Sequence, residues 1–100
     1  ISKVKEREVY LKSFLQNQIG SLSDKIQVRG LGMIWGIDVS SLGNHELSKK
    51  IAMSCFDRGL IIERCGREDT VLKVLPPLNI QLDALDQGCN ILKAAINDCV

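Results

Sequence analysis

Lys73 has the clearest chemical potential of any residue in this sequence. It is a cation inside the apolar run Val71-Leu72-Lys73-Val74-Leu75, which follows a polar loop and leads into Pro76-Pro77. Strand alternation puts it on the face opposite Leu72 and Val74. An ammonium held there at a cleft edge can meet a substrate carboxylate. The plain alternative is a lysine on a solvated sheet face. Arg29, Arg64 and Arg67 also fall near strand ends, where surface or interface ion pairing is their ordinary use. Trp35 reads as a core or domain-interface residue rather than a ligand platform.

Other constellations are weaker. His45 is the single histidine and lies beside a helix start, without the partners a catalytic set needs. Gly30-Leu31-Gly32 invites a dinucleotide-binding reading, but that motif needs a helix after its glycines. Here they lead into the apolar run Met33–Val39, so a turn or bulge fits better. The four cysteines, Cys55, Cys65, Cys89 and Cys99, form no close pair, which argues against a zinc site. They read as free thiols in a reducing compartment.

The whole chain narrows the choice further. Its net charge is +1, with both signs interspersed, and four aromatics leave little to stack on bases, so nucleic-acid binding is disfavoured. No apolar run is long enough for a membrane span, and charges interrupt the N-terminus early, unlike a signal peptide. A soluble, cytoplasmic protein is expected. One hundred residues suit one compact domain, 1–100, with an ordinary core. The chain begins at Ile1 within a helical pattern, as an excised piece would.

Positioning Lys73 requires a scaffold, and the patterning predicts one of order α-β-β-α-β-β-α. Ile1, Val4, Leu11, Leu15 and Ile19 recur at helical spacing, with Gly20 as the stop. Residues 26–29 and 33–39 read as strands joined through Gly30–Gly32. Asn44 is the expected N-cap of a helix whose Leu47, Ile51 and Cys55 face inward and which Gly59 ends. Residues 60–64 and 71–75 read as the third and fourth strands, separated by the polar loop Cys65–Thr70. Pro76-Pro77 stops the pairing, because proline has no N–H to give a ladder. From Gln81, a stripe of Leu82, Leu85, Cys89, Leu92, Ile96 and Val100 marks the closing helix, in which Gly88 is expected to permit close packing. Strands in adjacent pairs favour a largely antiparallel sheet covered by helices, an α+β domain.

Three segments together resemble a known family. Val28-Arg29-Gly30-Leu31-Gly32-Met33-Ile34-Trp35-Gly36-Ile37-Asp38 is similar to a stretch of the class III pyridoxal-phosphate-dependent aminotransferases. Asp57-Arg58-Gly59-Leu60-Ile61 resembles their turn into the next strand, and Val71-Leu72-Lys73-Val74-Leu75-Pro76-Pro77-Leu78 resembles their segment before the closing helix. The match runs in the family's order over essentially the whole chain.

The resemblance implies the C-terminal small domain of such an enzyme. The large domain, absent from this chain, would then bind pyridoxal phosphate and supply its covalent lysine and the acid at its ring nitrogen. No residue here would be catalytic. Lys73 and Gly66 would be the substrate-binding residues, with the Cys65–Thr70 loop at the active-site mouth. Many family members carry arginine where this chain has Lys73, exchanging a bidentate fork for a point charge. Lysine there, after Gly66-Arg67-Glu68-Asp69, is similar to the diaminobutyrate–2-oxoglutarate aminotransferase branch. That implies amino-acid and oxo-acid substrates, a homodimeric parent enzyme, and an isolated domain that is inactive and exposes apolar surface. The competing expectation is a stand-alone α+β module for small-molecule sensing or dimerisation, since fold alone does not set function.

Overall fold

A computed structural model describes residues 2–100. Ile1, expected to join the first helix, lies outside the described residues. Helix α1, Lys3–Phe14, starts where the Ser2 hydroxyl accepts the Lys5 N–H at 3.1 Å. Gly20 does not end it in the left-handed conformation expected: its φ is −61°. The helix instead widens through Leu15–Ile19, with the Gly20 N–H reaching the Leu15 carbonyl, and then tightens through Gly20–Leu22. Leu11, Leu15 and Ile19 are all fully buried along this path.

Strands β1, Gln27–Leu31, and β2, Ile34–Asp38, form an antiparallel hairpin in which Leu31 pairs with Ile34. The turn is therefore Gly32-Met33, and Gly30 lies inside β1 rather than in the connection. Gly32, at φ +63°, takes the first turn position, where a two-residue hairpin of this kind favours glycine. The second glycine makes the turn, and the first makes room: the ring of Trp35, its cross-strand partner, lies against Gly30.

Helix α2, Leu47–Asp57, follows. Asn44 caps less directly than expected. Its side chain accepts the Glu46 N–H at 3.0 Å in a preceding turn, and Glu46 occupies the cap position. Gly59, at φ +92°, closes the helix as expected. Strand β3 is Glu63–Cys65 and β4 is Val71–Val74. Helix α3, Leu82–Cys99, ends the chain.

The sheet order is β1-β2-β4-β3, antiparallel throughout, which makes the domain α+β. Trp35, Ile37, Leu72 and Val74 project from one face and are buried together with Leu11 of α1, Ile51 of α2 and Leu92 of α3. All three helices thus cover one face of the sheet. Two ties fix the helices: Arg7 of α1 donates to the Ile80 carbonyl at 2.6 Å, and Tyr10 donates to Asp86 of α3. The Tyr10 hydroxyl pKa is raised, by burial first and then by the bond to Asp86. No described helix is long and apolar enough to cross a membrane.

Candidate functional site

The uncovered face of the sheet carries Lys73. In register, one row across that face is Arg29, Gly36, Lys73 and Glu63. Glu63 stands directly opposite Lys73, and their charged groups lie 3.9 Å apart, an ion pair without a direct hydrogen bond. Lys73 is 39% exposed and Glu63 76%.

This pair is the last one in the β3–β4 ladder. Beyond it, Leu60–Ile62 and Leu75–Pro77 part, and α3 fills the floor between them. The expected third strand over 60–64 therefore starts later, at Glu63; in the same register Pro76, without an N–H, would face only Leu60, so the prolines do not by themselves explain the loss of Ile61 and Ile62. The parting leaves a cleft of about 360 Å³ lined by Leu60–Glu63, Lys73–Pro77, and Ile80, Ala84, Leu85, Gly88, Cys89 and Leu92 of the closing segment. Its lining is apolar except for Lys73 and Glu63, a common composition for small-molecule sites. Gly88 was expected to allow close packing, but a Cβ there would find Leu60 at 3.7 Å, an ordinary contact.

Gly66 lies at the other end of the short ladder. Its φ is +77°, and a Cβ on it would come within 2.7 Å of Val71 Cγ2. Glycine thus lets the loop close onto Val71, which shares a face with Lys73 two residues away, roughly 7 Å at strand rise. Gly66 does not line the cleft. The loop it opens is strained: Glu68 and Asp69 have φ values of 59° and 55°, conformations that cost about 1 kcal/mol or more each. Surrounding groups hold it. Ser48 of α2, 1% exposed, donates its hydroxyl to the Asp69 carbonyl at 2.6 Å, and Thr70 donates to the Arg67 carbonyl at 2.9 Å.

A second, polar hollow of about 550 Å³ adjoins this loop, lined by residues that include Arg29, Asp38, His45, Arg67 and Glu68. Its charges are largely matched. Arg29 meets Asp38 at 3.0 Å and His45 faces Glu68 at 3.6 Å. Burial pushes the Asp38 carboxyl up, but hydrogen bonds from Ser40 and Arg29 outweigh it and hold the pKa below the ordinary value. Arg29 thus has the surface ion pair expected of it. Arg64 and Arg67 are in no ion pair among the described residues. Trp35 is core, 4% exposed, with its indole N–H donating to the Gly32 carbonyl at 2.8 Å.

The four thiols are unpaired. Burial pushes Cys55 up to about 11 and Cys89 up to about 12, so both stay protonated and unreactive near neutrality.

Two contributors escaped the sequence reasoning. Glu63 is the lone acid ending an apolar run, but counting across the expected loop 65–70 would have set Ile62 opposite Lys73; the observed register, with Cys65 facing Val71, pairs Glu63 with it instead. Ser48 lies three residues before Ile51 and seven before Cys55, so its spacing alone put it on the buried face.

Comparison with known proteins bears on this arrangement. The family model for Aminotransferase class-III matches residues 1–96. A diaminobutyrate–2-oxoglutarate transaminase of Wolinella succinogenes is 36% identical over 96 residues, covering 95% of this chain and 22% of that protein. One from Marinococcus halophilus is 38% identical over 96 residues, again 95% of this chain and 22% of the relative. Among solved structures, an Arthrobacter phospholyase in complex with phosphoethanolamine superposes with a TM-score of 0.81 at 31% identity, covering 94% of this chain and 24% of its own. The chain thus spans about a fifth of the length of the curated relatives it matches.

Proposed function

The chain belongs to the class III aminotransferases, and we propose that it serves such an enzyme as the C-terminal small domain, gripping the substrate carboxylate through Lys73. Pyridoxal phosphate is the cofactor of the family and supplies the electron sink for amino-group transfer. The described residues do not suit its binding. The cleft offers one cation and one acid, and no set of donors for a phosphate. The cofactor's covalent lysine and ring acid are therefore assigned to a large domain outside this chain, and the isolated domain would be inactive.

The observation that carries this reading is Lys73 at the mouth of an apolar cleft, restrained only by a loose pair with Glu63. Exposed ion pairs of this sort contribute about 0–1 kcal/mol. A charge-assisted hydrogen bond to a substrate carboxylate contributes about 1.5–3 kcal/mol, so the substrate outcompetes Glu63. The strained Gly66–Thr70 loop, with Gly66 exposing its backbone, would reach the substrate from the opposite end of the β3–β4 ladder, on the same sheet face as Lys73.

The uncovered sheet face fits a large-domain partner. Leu31 and Ile34 close its hairpin end, and Leu75 and Ile61 continue it past the paired residues; these four are between 52% and 86% exposed. Such an apolar patch marks a surface that is covered in the working protein. The parent enzyme would be a cytoplasmic homodimer.

The names of the relatives suggest the substrates: an amino group passing between glutamate/2-oxoglutarate and 2,4-diaminobutyrate/aspartate semialdehyde. The test is to purify the full-length protein with pyridoxal phosphate and follow the absorbance of the bound cofactor as glutamate or diaminobutyrate is added. A shift with release of 2-oxoglutarate from glutamate supports the reading. No response to any amino donor would overturn it. The Arthrobacter relative supplies a second reading, lyase chemistry, which phosphate release from phosphoethanolamine would favour.

A further inference from the structure

The wall of the cleft that follows Lys73 has little of its own to hold it. Pro76 and Pro77 have no N–H, and the ladder of β4 ends before them, at Val74. The chain then turns through Leu78-Asn79, closed by the Ile80 N–H on the Pro77 carbonyl at 3.1 Å. Pro76, Pro77 and Ile80 nonetheless line one side of the cleft.

A side chain from the other end of the sequence supplies the missing tie. Arg7 of α1 donates its Nε–H to the Ile80 carbonyl at 2.6 Å. Among the described residues, no other hydrogen bond reaches residues 76–80 from another element. A second bond, from Nη1 to the Lys3 carbonyl at 3.0 Å, steadies the guanidinium on its own helix. Arg7 is 8% exposed and meets no carboxylate among the described residues. Burying a charge without an acid is costly, and an apolar side chain could pack there without that cost. What only the guanidinium adds is a directed, charge-assisted bond to the wall. Joining α1 to α3 is a separate task, served by Tyr10 on Asp86.

We propose that Arg7 is a positioning residue for the substrate site: it clamps the turn at residues 77–80 against α1 and thereby sets the width of the cleft beside Lys73. Arg7 does not line the cleft and acts through Ile80. Without the clamp the wall swings away from Leu60–Ile62, and a substrate held by Lys73 loses its apolar support.

This inference rests on the aminotransferase reading, and the experiment separates the two. Wild type, Arg7→Met, Arg7→Lys and Tyr10→Phe are compared in the full-length enzyme. Hydrogen exchange is followed at Ile80 and the first turn of α3, without substrate, and KM and kcat are measured for 2-oxoglutarate. Arg7→Met should quicken that exchange and raise KM about tenfold, with kcat changing far less, as when binding alone is lost. Arg7→Lys, which keeps one charged donor, should recover part of both. Tyr10→Phe loosens α1 from α3 but leaves the wall clamped, so its KM should match wild type even where its stability falls. Should Arg7→Met fail to fold, Arg7→Lys against Tyr10→Phe decides the matter, with a raised KM expected only in the former. Unchanged exchange in the folded Arg7 variants would show that no clamp exists. Quickened exchange with an unchanged KM, or equal rises of KM in the Arg7 variants and Tyr10→Phe, would reduce Arg7 to a stabilising residue and overturn the proposal. A wild type that accepts no amino donor sinks the aminotransferase reading and this role with it, while the exchange data still report the clamp.

Discussion

The ring of Trp35 lies where a side chain of Gly30 would be: a Cβ on Gly30 would fall 2.4 Å from Trp35 Cδ2 and 2.4 Å from the Ile34 carbonyl oxygen. The two residues face each other across the β1–β2 hairpin, and the indole is pinned by its bond to Gly32. Neither the ring nor the backbone can yield cheaply. Gly30→Ala should cost about 2 kcal/mol or more, within the upper range for overpacking. Chemical denaturation of the full-length protein checks this through a lowered midpoint. An unchanged midpoint would mean that the ring moves freely.

Gly88 should behave in the opposite way. It sits in a regular helix with room for a methyl group against Leu60. Gly88→Ala is expected to stabilise by up to about 1 kcal/mol through helix propensity. A lower unfolding midpoint would show that the cleft floor needs the space.

Ser48 tests how the loop beside the site is held. Ser48→Ala removes the hydroxyl that satisfies the Asp69 carbonyl, at an expected cost of about 1–2 kcal/mol. Because Glu68 and Asp69 are strained, the loosened loop should relax locally. Hydrogen exchange over residues 66–70 should quicken while α3 is unaffected. Equal changes in both would mean that the bond supports the whole domain.

Asp38 predicts a pH dependence. Its pKa is lowered in the folded protein, so its bonds to Ser40 and Arg29 contribute stability above the ordinary carboxylate pKa of 3.8. That contribution fades as pH falls through the lowered folded value. Asp38→Asn should therefore be less stable than wild type near neutrality, with the difference shrinking in acid below about pH 4. A difference that stays constant down to strong acid would contradict this.

Much of the architecture was legible because its signals are long and redundant. The stripe Leu85, Cys89, Leu92 and Ile96 specifies α3 over several turns, and all four are buried. The α-β-β-α-β-β-α order and the antiparallel sheet followed from paired short strands. Local details were harder, because tertiary context sets them. Gly20 could have ended α1, yet the chain widens before it, over Leu15–Ile19 with Ile19 in the core, and tightens after it through Gly20–Leu22. Residues 60–62 have strand composition, but they part from Val74 and Leu75 where the cleft opens over α3, a separation that nothing in their own sequence signals. At the site, Lys73 stood out as a cation in an apolar run. Glu63 did not, since its significance lies in a cross-strand register that depends on where the intervening loop closes.

Kinetics of Lys73→Ala in the full-length enzyme test the central claim most directly. KM for 2-oxoglutarate should rise about 10- to 100-fold, the equivalent of one charge-assisted hydrogen bond, with cofactor binding intact. Lys73→Arg should retain most of the affinity, because a guanidinium also meets a carboxylate. An unchanged KM in Lys73→Ala would remove this residue from the site and leave the cleft without its proposed role.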